Sequence, residues 1–204
     1  MSQNLWLFLL SAVGISLSGV MLPGPLTAAT IARGYNHKNA GALIGIGHGL
    51  VELPIIALVY FGFASYLTIP LVKQVTGVAG GLLLIVMGLL VFFTFKKPET
   101  GSAPSPYGSL VTGIVMTGGN PYFFLWWATI GVALIAGAVA FGVLGIVLFV
   151  IVHWSCDIAW SEIVSVTVFK TKHLWTPGVQ KVIFGICALV LIGFGIWFGI
   201  SVFL

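Results

Sequence analysis

Six nearly uncharged apolar stretches, each long enough to cross a lipid bilayer as a helix, leave this chain very few ways to fold. Crossing the hydrocarbon takes about 20 helical residues. That ruler places spans at roughly 5–32, 40–66, 70–95, 108–135, 138–169 and 177–203. The breaks between them are short and polar or turn-rich: Asn36-His37-Lys38-Asn39, Leu67-Thr68-Ile69-Pro70, a longer Pro-, Gly- and Ser-rich stretch from Lys96 to Pro106, an uncharged boundary near Gly137, and Lys170-Thr171-Lys172-His173. Of the 204 residues, 59% are apolar and only 6% charged, too few to give a globular core a polar coat. The expectation is an all-α integral membrane bundle of six transmembrane helices, with the lipid bilayer as its solvent. The net charge of +4 is spread thinly over loops and gives no reason to expect nucleic acid as a partner. The N-terminus lacks the cationic start and small-residue cleavage site of a secretory signal, so the first stretch is expected to remain as a span.

Orientation follows from the cations. Arg33, Lys38, Lys96, Lys97, Lys170, Lys172 and Lys181 fall on or beside the odd-numbered loops, and Lys73 alone falls on the other side. Such a bias places the odd-numbered loops in the cytoplasm and both termini outside. The expected location is the cytoplasmic membrane, crossed several times.

The long connector, 96–107, separates a first group of three helices (1–95) from a second (108–204). Three is odd, so related halves would be inverted with respect to each other, as in many secondary transporters. Corresponding spans do share features. The first is interrupted by Pro23-Gly24-Pro25 and the fourth by Gly118-Gly119-Asn120-Pro121; the second holds His48 and Glu52 and the fifth His153 and Asp157, both pairs four residues apart. Two inverted three-helix repeats are therefore expected.

Proline lacks an amide proton and displaces the carbonyl one turn earlier. In lipid the freed backbone groups need protein or a water-filled cavity as partner. Amides at the start of a half-helix suit an anionic group and carbonyls a cation, so Pro23, Gly24, Pro25, Asn120 and Pro121 are the candidate substrate-binding residues. The competing reading is a plain kink. Residues four apart share a helix face, and ionisable groups at mid-membrane usually face the bundle interior. Counted by helical rise, Glu52 and Asp157 each lie about 18–20 Å from the cytoplasmic ends of their spans, Gly24 about 14 Å and Asn120 about 18 Å. All four elements converge on one layer. Glu52, Asp157, His48 and His153 are the candidate ion-coupling residues. The blander reading makes each acid a partner of its own histidine, pinning helices together.

Glu162 lies on another face, nearer the cytoplasm, where it lines an entry path or pairs with Lys170 or Lys172, the structural pairing being the preferred reading. Gly41, Gly45 and Gly49, then Gly77 and Gly81, with Gly193, Gly195 and Gly199 on the last span, have the spacing of close helix contacts and leave a homodimer open. Trp6, Tyr35, Tyr66, Tyr107 and Trp175 read as interfacial anchors. Trp126 and Trp127 are placed equally well against a substrate cavity or lipid. No phosphate-binding Gly-Lys loop occurs. No cofactor and no enzymatic activity are expected.

Pro23-Gly24-Pro25, then Arg33-Gly34, the glycine ladder from Gly41, Asn120-Pro121 and Asp157 together resemble the LysE translocator family, the lysine and threonine/homoserine exporters, over nearly the whole chain. The resemblance implies six helices, an inverted repeat and ion-driven export of amino acids across the cytoplasmic membrane. Family functional positions would fall on Pro23, Gly24, Pro25, Asn120, Pro121 and Asp157. The family often has a lysine after Asn-Pro, where this chain has Tyr122, and His48 and His153 are not family hallmarks.

Three functions compete. The leading one is proton-coupled export of amino acids or related small metabolites. The second is export of a divalent metal cation held by His48, Glu52, His153 and Asp157, a plausible ligand set. The third is a redox relay through Cys156 and Cys187, which lie on different spans and form no spaced pair.

Overall fold

The computed structural model describes residues 4–21, 24–63, 66, 69–94 and 106–203, with backbone alone at 73, 76, 94, 106 and 107. Pro23, Lys96, Lys97 and most of the 96–107 connector lie outside the described residues. The helices, in chain order, are α1 (Leu5–Val20), α2 (Pro25–Asn36), α3 (Ala40–Tyr60), α4 (Pro70–Thr94), α5 (Pro106–Gly118), α6 (Pro121–Trp126), α7 (Val132–Val139), α8 (Gly142–Thr171) and α9 (Pro177–Ser201). No strand occurs among the described residues.

Proline and capping residues set many of these boundaries. Asn4 caps α1 by accepting from the amides of Trp6 and Leu7, and Thr176 caps α9 by accepting from Val179, with Pro177 at the first helical position. Inside the helices, Ser16, Thr30, Thr112 and Ser155 each donate to the carbonyl four residues back. A hydroxyl in an apolar span is thereby satisfied by its own helix.

Five single helices are long and apolar enough to cross a membrane (Ala40–Tyr60, Pro70–Phe93, Pro121–Val139, Gly142–Leu174 and Pro177–Ser201), and the pair Leu5–Val20 with Pro25–Asn36, bent by 76°, makes a sixth. Large apolar side chains such as Leu71, Leu82, Val86, Val143, Ile151, Val182 and Leu189 are exposed along these helices, the surface a lipid-solvated bundle presents. The fourth span departs from 108–135. α5 stops at Gly118, and the length that suffices to cross begins only at Pro121. The following turn falls at Ala140–Phe141 and not at Gly137, because Gly142 takes φ +67°, a conformation costly for any residue with a Cβ. The second span ends at Tyr60, short of 66.

α3 lies between α5 and α8, while α4 and α9 form the other long pairing. Glycine permits both. A Cβ at Gly41 would fall on the Ser161 carbonyl, and one at Gly47 on the Leu110 carbonyl. A Cβ at Gly81 would meet the Gly195 carbonyl at 2.5 Å. These ladders thus serve contacts within the chain. At one end of the bundle, Lys172 Nζ donates to the Tyr35 carbonyl at 2.9 Å, and the Arg33 guanidinium lies beside Gly108. The ends of the first, third and fifth loops therefore share one side.

Candidate functional site

Close backbone approach along α3 sets the site. Gly45 and Gly49 bring α3 against Ile158 and Trp154 of α8, and the Trp154 indole donates to the Gly45 carbonyl at 3.0 Å. At that separation the side chains of His48 and Glu52 on α3 reach those of His153 and Asp157 on α8. The two histidine–acid pairs meet. Glu52 Oε1 lies 3.0 Å from His48 Nε2 and 3.1 Å from His153 Nε2, and Asp157 Oδ2 lies 4.0 Å and 3.7 Å from the same two nitrogens. Neither acid belongs to its own histidine alone; Glu52 is shared across the two helices.

All four residues are buried, Glu52 leaving 1% of its surface exposed and Asp157 5%. The outer ring nitrogens have partners too. His48 Nδ1 is 2.8 Å from Thr117 Oγ1 on α5, and His153 Nδ1 is 2.6 Å from Ser16 Oγ on α1. Glu52 Oε2 and Asp157 Oδ2 are buried without a hydrogen-bond partner. Aromatic rings close the flanks: Phe123 meets His48 edge-on, Trp126 and Phe149 stack on His153, and Trp127 meets it edge-on. Trp127 is fully buried and opens a single π-helical turn, Trp127–Gly131, in the fourth span. Such turns recur at functional positions. It faces His153 in the bundle interior and not lipid.

The two helix breaks differ. Gly24 precedes α2 in an extended conformation and offers no side-chain cap, with Pro25 at the first helical position. Asn120 caps α6, its Oδ1 accepting from the Tyr122 amide at 3.0 Å, with Pro121 behind it. A narrow cleft with room for roughly one water molecule lies beside the first break. Val20, Thr27, Thr30, Trp160 and Ser161 line it, and the Trp160 Nε1 proton is buried without a partner. Val20 and Ser161 are four residues beyond Ser16 and Asp157, so the cleft lies one helical turn from the cluster.

Glu162 does not pair with Lys170 or Lys172. Its Oε2 accepts from the Ala42 amide at 2.8 Å, while Ser165 Oγ accepts from the Gly41 amide at 2.9 Å. Together they cap α3 from outside the helix, an anion at the positive end of its dipole. Ser16, Thr117, Ser165 and Trp160 were not among the candidates read from the sequence. Cys156 and Cys187 are free, buried thiols.

A helical membrane bundle with ionisable side chains from two spans meeting in its interior is the build of a membrane transport protein. The chain belongs to the LysE type translocator family, whose profile matches residues 17–202. It is similar to "Putative amino acid efflux protein YcgF" of Bacillus subtilis (strain 168), 25% identical over 193 residues that cover 92% of this chain and 91% of that protein. No solved structure matches the chain.

Proposed function

We propose that this exporter moves an amino acid or a related small metabolite out across the cytoplasmic membrane, using protons as the coupling ion. The observation that carries the reading is the contact of Glu52 with both His48 and His153 beside Asp157, out of water and between two spans. Buried acids are costly to keep in a membrane interior and usually serve transport. In this reading Glu52 and Asp157 exchange protons, the two histidines relay them, and the solute binds at the first break, where the α2 amides suit a carboxylate. Gly24 and Pro25 bound that position; Pro23 completes the motif. Asn120 and Pro121 hold the second break in shape beside Thr117. The family and the amino acid efflux protein it resembles support the solute class.

The proposal includes two inverted repeats, 1–95 and 108–204, with a cytoplasmic connector and both termini outside. Support comes from reciprocal packing. α3 contacts α5 as α8 contacts α1, and α2 contacts α9 as α6 contacts α4. In each half, moreover, a hydroxyl from the helix before the break holds the opposite half's histidine. A homodimer belongs to the same proposal, through Gly185, Gly193 and Gly199 of α9, where an added Cβ meets nothing within 4 Å.

Counterflow in proteoliposomes loaded with unlabelled amino acids tests the function. Labelled amino acid should enter, and Glu52→Gln should abolish its proton-driven accumulation while the protein stays helical and monodisperse. Full accumulation by Glu52→Gln sinks the coupling role.

A further inference from the structure

Ser16 has one hydroxyl proton, and the Ala12 carbonyl at 2.7 Å takes it. Its contact with His153 Nδ1 at 2.6 Å is then one in which the ring nitrogen donates and Ser16 Oγ accepts. A neutral His153 so held turns the lone pair of Nε2 toward Glu52 Oε1, 3.1 Å away. Two acceptors at that distance need a cation between them. One proton closes one such edge. Four nitrogen–oxygen edges meet here, at 3.0, 3.1, 3.7 and 4.0 Å, and two carboxylate oxygens have no hydrogen-bond partner.

A tetrahedral ion with bonds of about 2.0–2.1 Å holds its donors about 3.3–3.4 Å apart. The four edges straddle that value; the donor atoms of His48, Glu52 and Asp157 lie within 4.8 Å of one another, and His153, 3.1 Å from Glu52 and 3.7 Å from Asp157 but outside that group, completes the set by a shift of its ring. Two imidazoles and two carboxylates are ligands that zinc-class ions accept. Metal-bound histidines donate their second ring proton to a nearby oxygen, which is the role Ser16 Oγ plays for His153 and Thr117 Oγ1 is placed to play for His48. The nearby cleft offers an approach from one side, with Thr30 and Ser161 as its oxygen lining.

We propose that His48, Glu52, His153 and Asp157 form a binding site for one divalent transition-metal ion of the zinc class, with Ser16 and Thr117 as the residues that orient the two imidazoles. The site stands whatever solute the protein exports. Because its ligands come from α3 and α8, a bound ion ties the two halves together in this arrangement, raising thermal stability and slowing counterflow.

Cobalt(II) serves as the probe, titrated into the purified, chelator-stripped full chain in detergent. The expected result is one ion per chain with the intense visible absorption of a tetrahedral site, displaced by zinc and accompanied by a higher melting temperature. Glu52→Gln should lose the absorption. Ser16→Ala, which leaves all four ligands in place, should weaken binding about tenfold or more. A variant with His37 and His173 both changed to alanine should bind as the parent does. Absence of the tetrahedral spectrum, or its survival in Glu52→Gln, overturns the site. Efflux is measured separately in chelator-containing buffer. Amino acid efflux without a cobalt spectrum overturns the metal site and leaves the exporter reading intact. A cobalt spectrum with no amino acid efflux does the reverse.

Discussion

In the first span the chain leaves α1 at Val20 and resumes helix at Pro25 after a 76° bend, with Gly24 giving the new helix no side-chain cap. In the fourth it leaves α5 at Gly118 and resumes at Pro121, under an Asn120 side chain that takes the Tyr122 amide. Both restarts use proline, whose missing proton costs nothing at a helix start. They differ in what is done with the next amides. At the second break the Asn120 side chain satisfies one; at the first Gly24 has no side chain to do so, and the cleft with the unpartnered Trp160 proton lies alongside. Similar sequence devices thus yield one joint capped by its own side chain and one without a side-chain cap, beside an unpartnered Trp160 proton.

The largest effect should follow from giving the first break the cap that the second has. Gly24 sits at an extended φ of −160°, which any residue adopts, so Gly24→Ser fits the backbone and places a hydroxyl over the α2 amides. If a carboxylate uses those amides, counterflow should fall by about tenfold or more, near 1.4 kcal/mol, with melting temperature unchanged or slightly raised. Unchanged counterflow would reduce the first break to a hinge.

Removing the cap at the second break should act on stability instead. Asn120→Ala leaves the α6 start unsatisfied and should cost about 1 kcal/mol, read as a lower melting temperature with counterflow largely kept. Loss of transport at unchanged stability would make the two breaks functional equals, as the sequence alone suggested.

How far the sequence reached depends on how local each cause is. The spans were legible because lipid demands long apolar runs, and the histidine–acid pairs because a four-residue offset fixes a shared face. Ser16 and Thr117 were not. A hydroxyl in an apolar span is satisfied by its own helix, as Ser16 is by Ala12, so nothing in the sequence separates it from Ser155, which does the same. Its second partner exists only once α1 meets α8. Glu162 misled for a related reason. The nearby lysines are neighbours in sequence, but the unbonded amides at the start of α3 are its neighbours in space and accept an anion at fixed geometry. The glycine ladders were legible as contacts; that the partner of α3 is α8 and not a second copy required the packed chain. The fourth span, though its break at Gly118–Pro121 was legible, starts at 108 in the sequence reading because nothing in its apolar length says on which side of Gly119 the membrane is crossed.

The smallest effect, and the finest test of the comparison, concerns Trp160. Its Nε1 proton is buried without a partner beside the first break, and an orphaned donor costs on the order of 1–3 kcal/mol. Trp160→Phe keeps an aromatic ring and removes the donor, so stability should stay level or rise by less than about 1 kcal/mol once the lost ring volume offsets the gain. If the proton is reserved for a solute at the uncapped break, the same change should raise the solute's half-saturation in counterflow while leaving the rate at saturation near that of the parent. A rise in stability with no change in half-saturation would mean the Trp160 proton takes no part in solute binding, and the solute's contacts at the first break would then have to come from α2 alone.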